Sequence, residues 1–273
     1  MTNNGRQTMS KKALCIGIND YPGTQNDLSG CVNDANDWAA ALTARGFAVT
    51  KLLDAQATKA SMVGAISNLV GGAAKGDSVV ITYSGHGTWV PDQNGDEPDG
   101  RDEGLCPWDI GAGKVLLDDE IAALFAHRAA GVRVLLISDS CHSGTVTKGD
   151  DSDLDAGMPR ARFLPPSVWM KAGELPESRV ATLPVTSGLS RSGGDLLMAG
   201  CLDTQFSWDT RFKGRPNGAF TYYALKTLAA LPASASYAQW FKAITPTYLP
   251  TNQLPQNPQL FGSRTARAWK VFA

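Results

Sequence analysis

The sequence predicts an α/β fold with a mostly parallel central sheet and helices on both faces. Three observations predict it. Short apolar, β-branched runs recur through the first half of the chain. Each is followed by a segment whose apolar residues repeat at helical spacing. Two of the runs stop abruptly in polar, reactive residues. Strand–helix alternation of this kind builds successive βαβ units, and in such sheets functional groups gather at the carboxyl ends of the strands. With 43% hydrophobic and 19% charged residues, the chain can bury a sizeable core and is not expected to be disordered. The expectation is a single domain, 1–273, with a flexible N-terminal tail (1–11) and a long loop insert (145–194).

The elements follow in order. "ALCIGI" (13–18) reads as a buried strand between a basic tail and a turn-rich loop. "CVNDANDWAAALTARG" sets Val32, Ala35, Trp38, Ala39 and Leu42 on one helical face, and Gly46 stops it. "FAVTKLL" (47–53) alternates as a strand. A helix is expected over 58–70, ended by Gly71 and Gly72. "DSVVITYSGHG" (77–87) is a strand running into a glycine-flanked loop. "LLDDEIAALFAHRAAG" is a helix with acidic residues in its first turn, where the dipole favours them. "VRVLLISDS" is the next strand. After Gly144 the pattern lapses to 194 in Asp, Pro, Ser, Gly and Arg, which marks a functional loop, lid or insert. A strand at 195–202, helices at 218–231 and over "SYAQWFKAITPTYL", and loop plus a last strand over the ending "NQLPQNPQLFG…RAWKVF" complete the reading. Trp38, Trp240 and Tyr222 read as core.

Several function classes are excluded. The net charge is −1, with no block of like charges, so neither nucleic acid nor a membrane is an expected partner. The N-terminus lacks the apolar region of a signal peptide, and no apolar run reaches the ~18 residues that span a bilayer. The five cysteines (Cys15, Cys31, Cys106, Cys141, Cys201) are scattered, without C-x-x-C spacing. That predicts reduced thiols in a cytoplasmic protein. Neither G-x-G-x-x-G nor a P-loop is present, which weakens a nucleotide-binding reading; no organic cofactor is expected.

The chemistry centres on "RVLLISDSCHSG" (133–144). A thiol needs a base or a positive environment to become a thiolate near neutral pH. His142 is adjacent to Cys141, but successive side chains at a strand end point to opposite faces. His86, in "YSGHG", lies upstream at a separation close to the roughly 50 residues that part histidine from cysteine in caspases. His86 is therefore the expected base and His142 a bystander.

"YSGHG" and "DSCHSG" resemble the two signature blocks of the metacaspases, caspase-like cysteine peptidases. "LSGCVNDANDWAAAL", "DEPDGRDEGLCPWD…VLLDDEI" and, more loosely, "GAFTYYAL" resemble further blocks of that family, in the same order. The resemblance implies a three-layer αβα caspase-like fold and a His86–Cys141 dyad. It implies an oxyanion site at the backbone N–H groups of Gly87 and Cys141. It also implies cleavage after Arg or Lys, through a pocket of Asp34 and Asp139 lined by Ser84 and Cys31.

The resemblance further implies Ca²⁺ as an activator, with ligands at Asp102, Asp118 and Asp119. The family's fourth ligand position carries Lys148 here, and Asp150 or Asp151 is the substitute. Dipole complementation alone is the competing account of Asp118 and Asp119. Substrates would be proteins or peptides with a basic P1 residue, and the enzyme would act as a monomer. The insert carries Lys148, Arg160, Arg162, Lys171, Arg179 and Arg191, so self-cleavage within it is expected. Two readings compete: a catalytically silent caspase-fold scaffold, and a cysteine peptidase of the legumain or gingipain type. Trp208 is either a wall of the substrate cleft or loop packing.

Overall fold

The computed structural model describes residues 9–22, 25–92, 100–142, 159–170, 195–244 and 255–273. Its centre is a six-stranded sheet in the order β12-β9-β7-β3-β1-β2. The strands are β1 (Lys11–Gly17), β2 (Ala48–Leu53), β3 (Ser78–Ser84), β7 (Arg133–Asp139), β9 (Asp195–Ala199) and β12 (Gln259–Gly262). All neighbours run parallel except β12, which lies antiparallel on β9.

Period-2 alternation feeds two cores. Leu14, Ile16, Val79, Ile81, Val134 and Leu136 face one side. There they meet Met62, Ile66 and Val70 of α2 (Lys59–Gly71) and Ile121 and Phe125 of α3 (Asp118–Ala126). Ala13, Cys15, Val80, Leu135 and Ile137 face the other side. Against them pack α1 (Cys31–Thr43), α5 (Ala219–Ala230) and α6 (Tyr237–Ile244), through Trp38, Leu42, Phe220, Leu228 and Trp240. The result is three layers, helix–sheet–helix. Because both faces are covered there, the inner strands β3 and β7 are near-continuous buried runs, as parallel sheets require, while the edge strand β2 is partly exposed. α1 stops as read, with Gly46 at φ +83°.

The expected last strand of the closing stretch is β12, "QLFG", and the short helix α7 (Arg264–Arg267) follows it. Two expectations change. Tyr222 is half-buried and stacks on Phe212 at 3.9 Å, whereas Trp38 and Trp240 are core and meet edge-on at 6.1 Å. The insert is not structureless throughout. It holds β8 (Arg160–Ala161) and α4 (Pro166–Trp169). No local periodicity announces these pieces, because distant partners fix them: the Trp169 indole N–H donates to Thr88 Oγ1 at 3.0 Å.

Two small antiparallel sheets flank the carboxyl end of the main one. The first joins β4 (Gly87–Pro91), β5 (Arg101–Leu105) and β6 (Leu116–Leu117). The second joins β11 (Arg215–Gly218), β10 (Trp208–Phe212) and β8. No helix among the described residues is long and apolar enough to cross a membrane, and all five cysteines are free and buried.

Candidate active site

β3 and β7 are neighbours, with Ser84 opposite Asp139. Two residues beyond each strand end come His86 and Cys141. Parallel register therefore delivers the histidine and the cysteine to one edge of the sheet, beside the end of β1, where Gly17 pairs with Ser84.

The His86 ring is oriented by the backbone. Its Nε2 lies 2.6 Å from the Asn26 carbonyl. A carbonyl oxygen can only accept, so Nε2 carries the hydrogen of the neutral ring. Nδ1 then holds the lone pair, and it is buried without a hydrogen-bond partner among the described residues. The loop is clamped from below. The His86 N–H donates to the Tyr21 hydroxyl at 2.8 Å, and the Tyr83 hydroxyl lies 2.6 Å from the His86 carbonyl. Burial pushes the imidazole down to about 4, so it is neutral at physiological pH.

Cys141 is fully buried. Its sulfur accepts a hydrogen bond from the Ser207 N–H at 2.6 Å, and no hydrogen bond joins it to His86. Burial, then the neighbouring Cys201 thiol, push its pKa well up. The resting pair is thus a thiol and a neutral imidazole. His142 turns elsewhere: Nδ1 lies 3.2 Å from the Gly104 carbonyl and Nε2 lies 3.3 Å from Ser140 Oγ.

Arg162, from the insert, covers Cys141. Its carbonyl accepts from the Gly87 N–H at 3.0 Å and from the Cys141 N–H at 3.1 Å. Its own N–H donates to the Ser207 carbonyl at 2.9 Å, and the Leu164 N–H donates to the Gly87 carbonyl at 2.9 Å. The side chain, entirely buried, enters a pocket between two carboxylates. Nη2 pairs with Asp34 at 2.7 Å and Nη1 with Asp139 at 3.1 Å. Asp209 stands 4.0 Å off. Gly218 makes room, since a Cβ there would overlap Asp139 Oδ2 and Arg162 Nη1.

The carboxylates are held in turn. Asp139 Oδ2 accepts from the Thr221 N–H at 3.0 Å and its hydroxyl at 2.7 Å. Asp34 Oδ1 accepts from Asn217 Nδ2 at 2.9 Å and from the Gly218 N–H at 3.0 Å. Three carboxylates around one guanidinium leave excess negative charge. Burial, only partly offset by Arg162 and aggravated by Asp139, pushes Asp34 up to about 7, while the arginine stays charged.

Of the residues read from sequence, the structure brings together His86, Cys141, Gly87, Asp34 and Asp139. Ser84 is buried beside Asp139 by register, and Cys31 is near enough to feel the charge of Arg162, although burial keeps its thiol pKa high. Arg160 is exposed, with Nη1 donating to the Asp27 carbonyl at 2.8 Å. Lys148, Asp150, Asp151, Lys171, Arg179 and Arg191 lie outside the described residues. Asp102 and the Asp118–Asp119 pair reach the same end of the β5–β6 ladder, whose register pairs Gly104 with Leu117. Among the described residues, however, no three His, Cys, Asp or Glu side chains are grouped to hold a metal.

Sequence reasoning missed Asn26, Ser207, Asp209, Asn217, Gly218 and Thr221. Asn26 and Ser207 act through backbone atoms, which leave no side-chain signal. Asp209 does carry one, as an acidic residue in the polar stretch after β9. Trp208 lies opposite Ala161 in the β8–β10 ladder, and its ring packs against Phe206 at 5.6 Å.

The family model described as metacaspase, peptidase C14 domain, matches residues 11–149. Metacaspase-1 of Cryptococcus neoformans is 32% identical over 94% of this chain, which spans 63% of that relative. Metacaspase-1B of Aspergillus oryzae is 33% identical, over 93% of this chain and 68% of its own length. Metacaspase-4 of Arabidopsis thaliana is 41% identical over 50% of this chain. Among solved structures, a Geobacter sulfurreducens protein superposes with a TM-score of 0.72 at 36% identity, covering 96% of this chain and 98% of its own. The layered α/β architecture is the caspase-like one.

Proposed function

Because this chain belongs to the metacaspase family, we propose that it is a cysteine endopeptidase cleaving after Arg or Lys through a His86–Cys141 dyad. One observation carries the reading: Arg162 lies in the cleft as a P1 residue would, its carbonyl between two N–H donors and its guanidinium between two carboxylates. Donors converging on one carbonyl are the geometry that stabilises an oxyanion.

His86 Nδ1 is the base. Asn26 fixes the tautomer, and the ring takes the thiol proton as the sulfur attacks the P1 carbonyl. The Gly87 and Cys141 N–H groups hold the developing oxyanion. His86 then returns the proton to the leaving nitrogen. Asp34 and Asp139 select a basic P1. Each takes one guanidinium nitrogen, so arginine satisfies both at once and a lysine ammonium, a single point charge, serves them less well.

Calcium stimulation belongs to the same reading. Asp102, Asp118 and Asp119 would supply carboxylates at one end of the β5–β6 ladder, but a 6–8-oxygen site needs more, from Asp150 or Asp151. The described donors do not by themselves make that site, so no catalytic step is drawn through the ion. Action as a monomer belongs to the same reading. Buried free thiols support a reducing, cytoplasmic setting.

The test is hydrolysis of Arg-, Lys- and Asp-P1 fluorogenic peptides by wild type and Cys141→Ala, with calcium and with chelator. Arg should exceed Lys, Asp should be negligible, and Cys141→Ala should be inactive. Equal or better hydrolysis of Asp-P1 peptides would sink the specificity. Unchanged activity in excess chelator would sink calcium stimulation.

A further inference from the structure

We infer that Gln256 is a positioning residue of the active site: its buried amide sets the Ser207 peptide, whose carbonyl receives the backbone N–H of the P1 residue. The inference rests on the peptidase reading above. It adds a residue near the end of the chain, outside the residues 11–149 that the family model matches.

Ser207 is the last residue of the loop that joins β9 to β10. Both ends of its backbone face the nucleophile. Its N–H donates to the Cys141 sulfur at 2.6 Å, and its carbonyl lies 3.5 Å from the same sulfur. That carbonyl also accepts from the Arg162 N–H at 2.9 Å. A residue seated in the acidic pocket is therefore gripped by its backbone as well as by its side chain. The Gly87 and Cys141 N–H groups take its carbonyl, and the Ser207 carbonyl takes its N–H. Gly87 and Cys141 follow directly on paired strands. Ser207 stands at the end of a loop that belongs to no strand ladder, so something else must hold it.

Gln256 does so from the segment that leads into β12. It is 3% exposed. Its Nε2 donates to the Gly200 carbonyl at 2.9 Å and to Ser207 Oγ at 3.1 Å, and its Oε1 accepts from the Trp208 N–H at 3.3 Å. One amide thus uses both donors and its acceptor to tie the first residue of the loop to its last and to the start of β10. The two loop ends approach closely, since a Cβ at Gly200 would overlap Ser207 Oγ. Leucine would fill the same space without any of these bonds, and glutamate would lose both donors. The acidic pocket is held independently. Asp209 Oδ2 accepts from the Ser29 and Gly30 N–H groups at 2.9 and 3.0 Å, while Asp34 and Asp139 stand on α1 and β7. Gln256 therefore acts on the backbone of the P1 residue, not on the choice of its side chain.

The experiment measures kcat/KM for three quenched peptides of one sequence: with Arg at P1, with Ala at P1, and with Arg methylated on the P1 nitrogen. The enzymes are wild type, Gln256→Leu and Gln256→Glu. Methylation deletes the N–H that Ser207 receives, so wild type should lose about tenfold, the size of leaving a buried acceptor unpaired. In Gln256→Leu the loss on methylation should shrink to threefold or less, while the Arg over Ala ratio stays within threefold of wild type. Gln256→Glu, which keeps the shape, should behave in the same way and carries the test if the leucine variant is insoluble. The fraction of open clefts cancels in both ratios. Equal hydrolysis of the methylated and unmethylated peptides by wild type overturns the Ser207 contact and the inference with it. A full methylation loss in the variants makes Gln256 a packing residue and overturns it too, as does a parallel fall of both ratios. Failure of both variants to fold places Gln256 in the fold rather than the site, with the same consequence. In each of these cases hydrolysis of the Arg-P1 peptide by wild type leaves the peptidase reading standing, whereas its absence overturns both.

Discussion

Replacing Asp139 by asparagine removes a charge from the pocket while disturbing little else. Asp139 Oδ2 takes the two Thr221 hydrogen bonds, and Oδ1 has no hydrogen-bond partner among the described residues. An amide can therefore place its oxygen at Oδ2 and its NH₂ at the vacant side. What is lost is the negative charge of the ion pair with the P1 guanidinium, about 1.5–3 kcal/mol, the size of an interaction with a charged group. At 1.36 kcal/mol per tenfold, that is about 10- to 150-fold in kcat/KM.

Asp34 is different. Both its oxygens accept, Oδ1 from Asn217 and Gly218 and Oδ2 from Arg162 and Gly218. An NH₂ in either position opposes a donor. Asp34→Asn therefore breaks a buried pair at about 3–5 kcal/mol, or roughly 150- to 5000-fold. Both variants also loosen Arg162 and so raise the fraction of open clefts. The assay is therefore the ratio of kcat/KM for Arg-P1 over Ala-P1 peptides, in which the open fraction cancels. A ratio in Asp139→Asn within threefold of wild type would refute the pocket assignment, as would a larger loss there than in Asp34→Asn.

The pocket also sets a pH dependence. Asp34, raised to about 7 with a guanidinium present, rises further when the pocket empties, so binding a basic P1 residue expels a proton; KM for Arg-P1 peptides should fall as pH rises from 6 to 8, and a flat or rising KM contradicts this. His86→Ala should lower kcat/KM by about 10²–10⁴-fold, the usual size of a general-base contribution, whereas His142→Ala should cost less than tenfold; comparable losses in the two would return the base to His142. The depressed His86 pKa of about 4 against 6.5 unfolded means that between those values the unfolded chain binds a proton the folded one excludes, so its contribution to stability is lost as pH falls through that window; His86→Gln should flatten the loss in urea titrations at pH 4.5 and 7. Trp240→Ala removes a fully buried indole that donates to the Ala224 carbonyl at 3.1 Å and should cost about 3–5 kcal/mol in urea unfolding; a loss under 1 kcal/mol would mean the α5–α6 layer is not a packed core.

Much of the main sheet was legible because its signals are local. Apolar runs such as "VVITY" and "VLLIS" must be buried on both faces, and helical spacing in "VNDANDWAAAL" fixes which side of α1 is covered. The candidate site was legible where side chains carry it: His86 and Cys141 beyond two strand ends, and Asp139 two residues before Cys141. The flanking sheets were not. β5 reads "RDEGL" and β11 reads "RPNG", charged or turn-like stretches held as strands by their partners rather than by propensity. The last strand was legible only as lying within the closing stretch, because the segment that pairs with β9 is the short "QLFG".

The sequence by itself determined the layered α/β architecture and the two polar blocks at strand ends, because alternation along a strand is a property of the chain alone. Only the tertiary structure decided which strands are neighbours, and hence that His86 and Cys141 share an edge. It alone decided that the Asn26 carbonyl sets the imidazole tautomer and that Asp209 joins the acidic pocket. Among the described residues it also singled out Arg162 over Arg160, the other basic residue of the insert. In composition Arg162 and Arg160 are the same residue two positions apart. One is exposed on the rim, and the other gives up all its hydration for two carboxylates and two backbone donors that lie far away in the chain, contacts that no local pattern encodes.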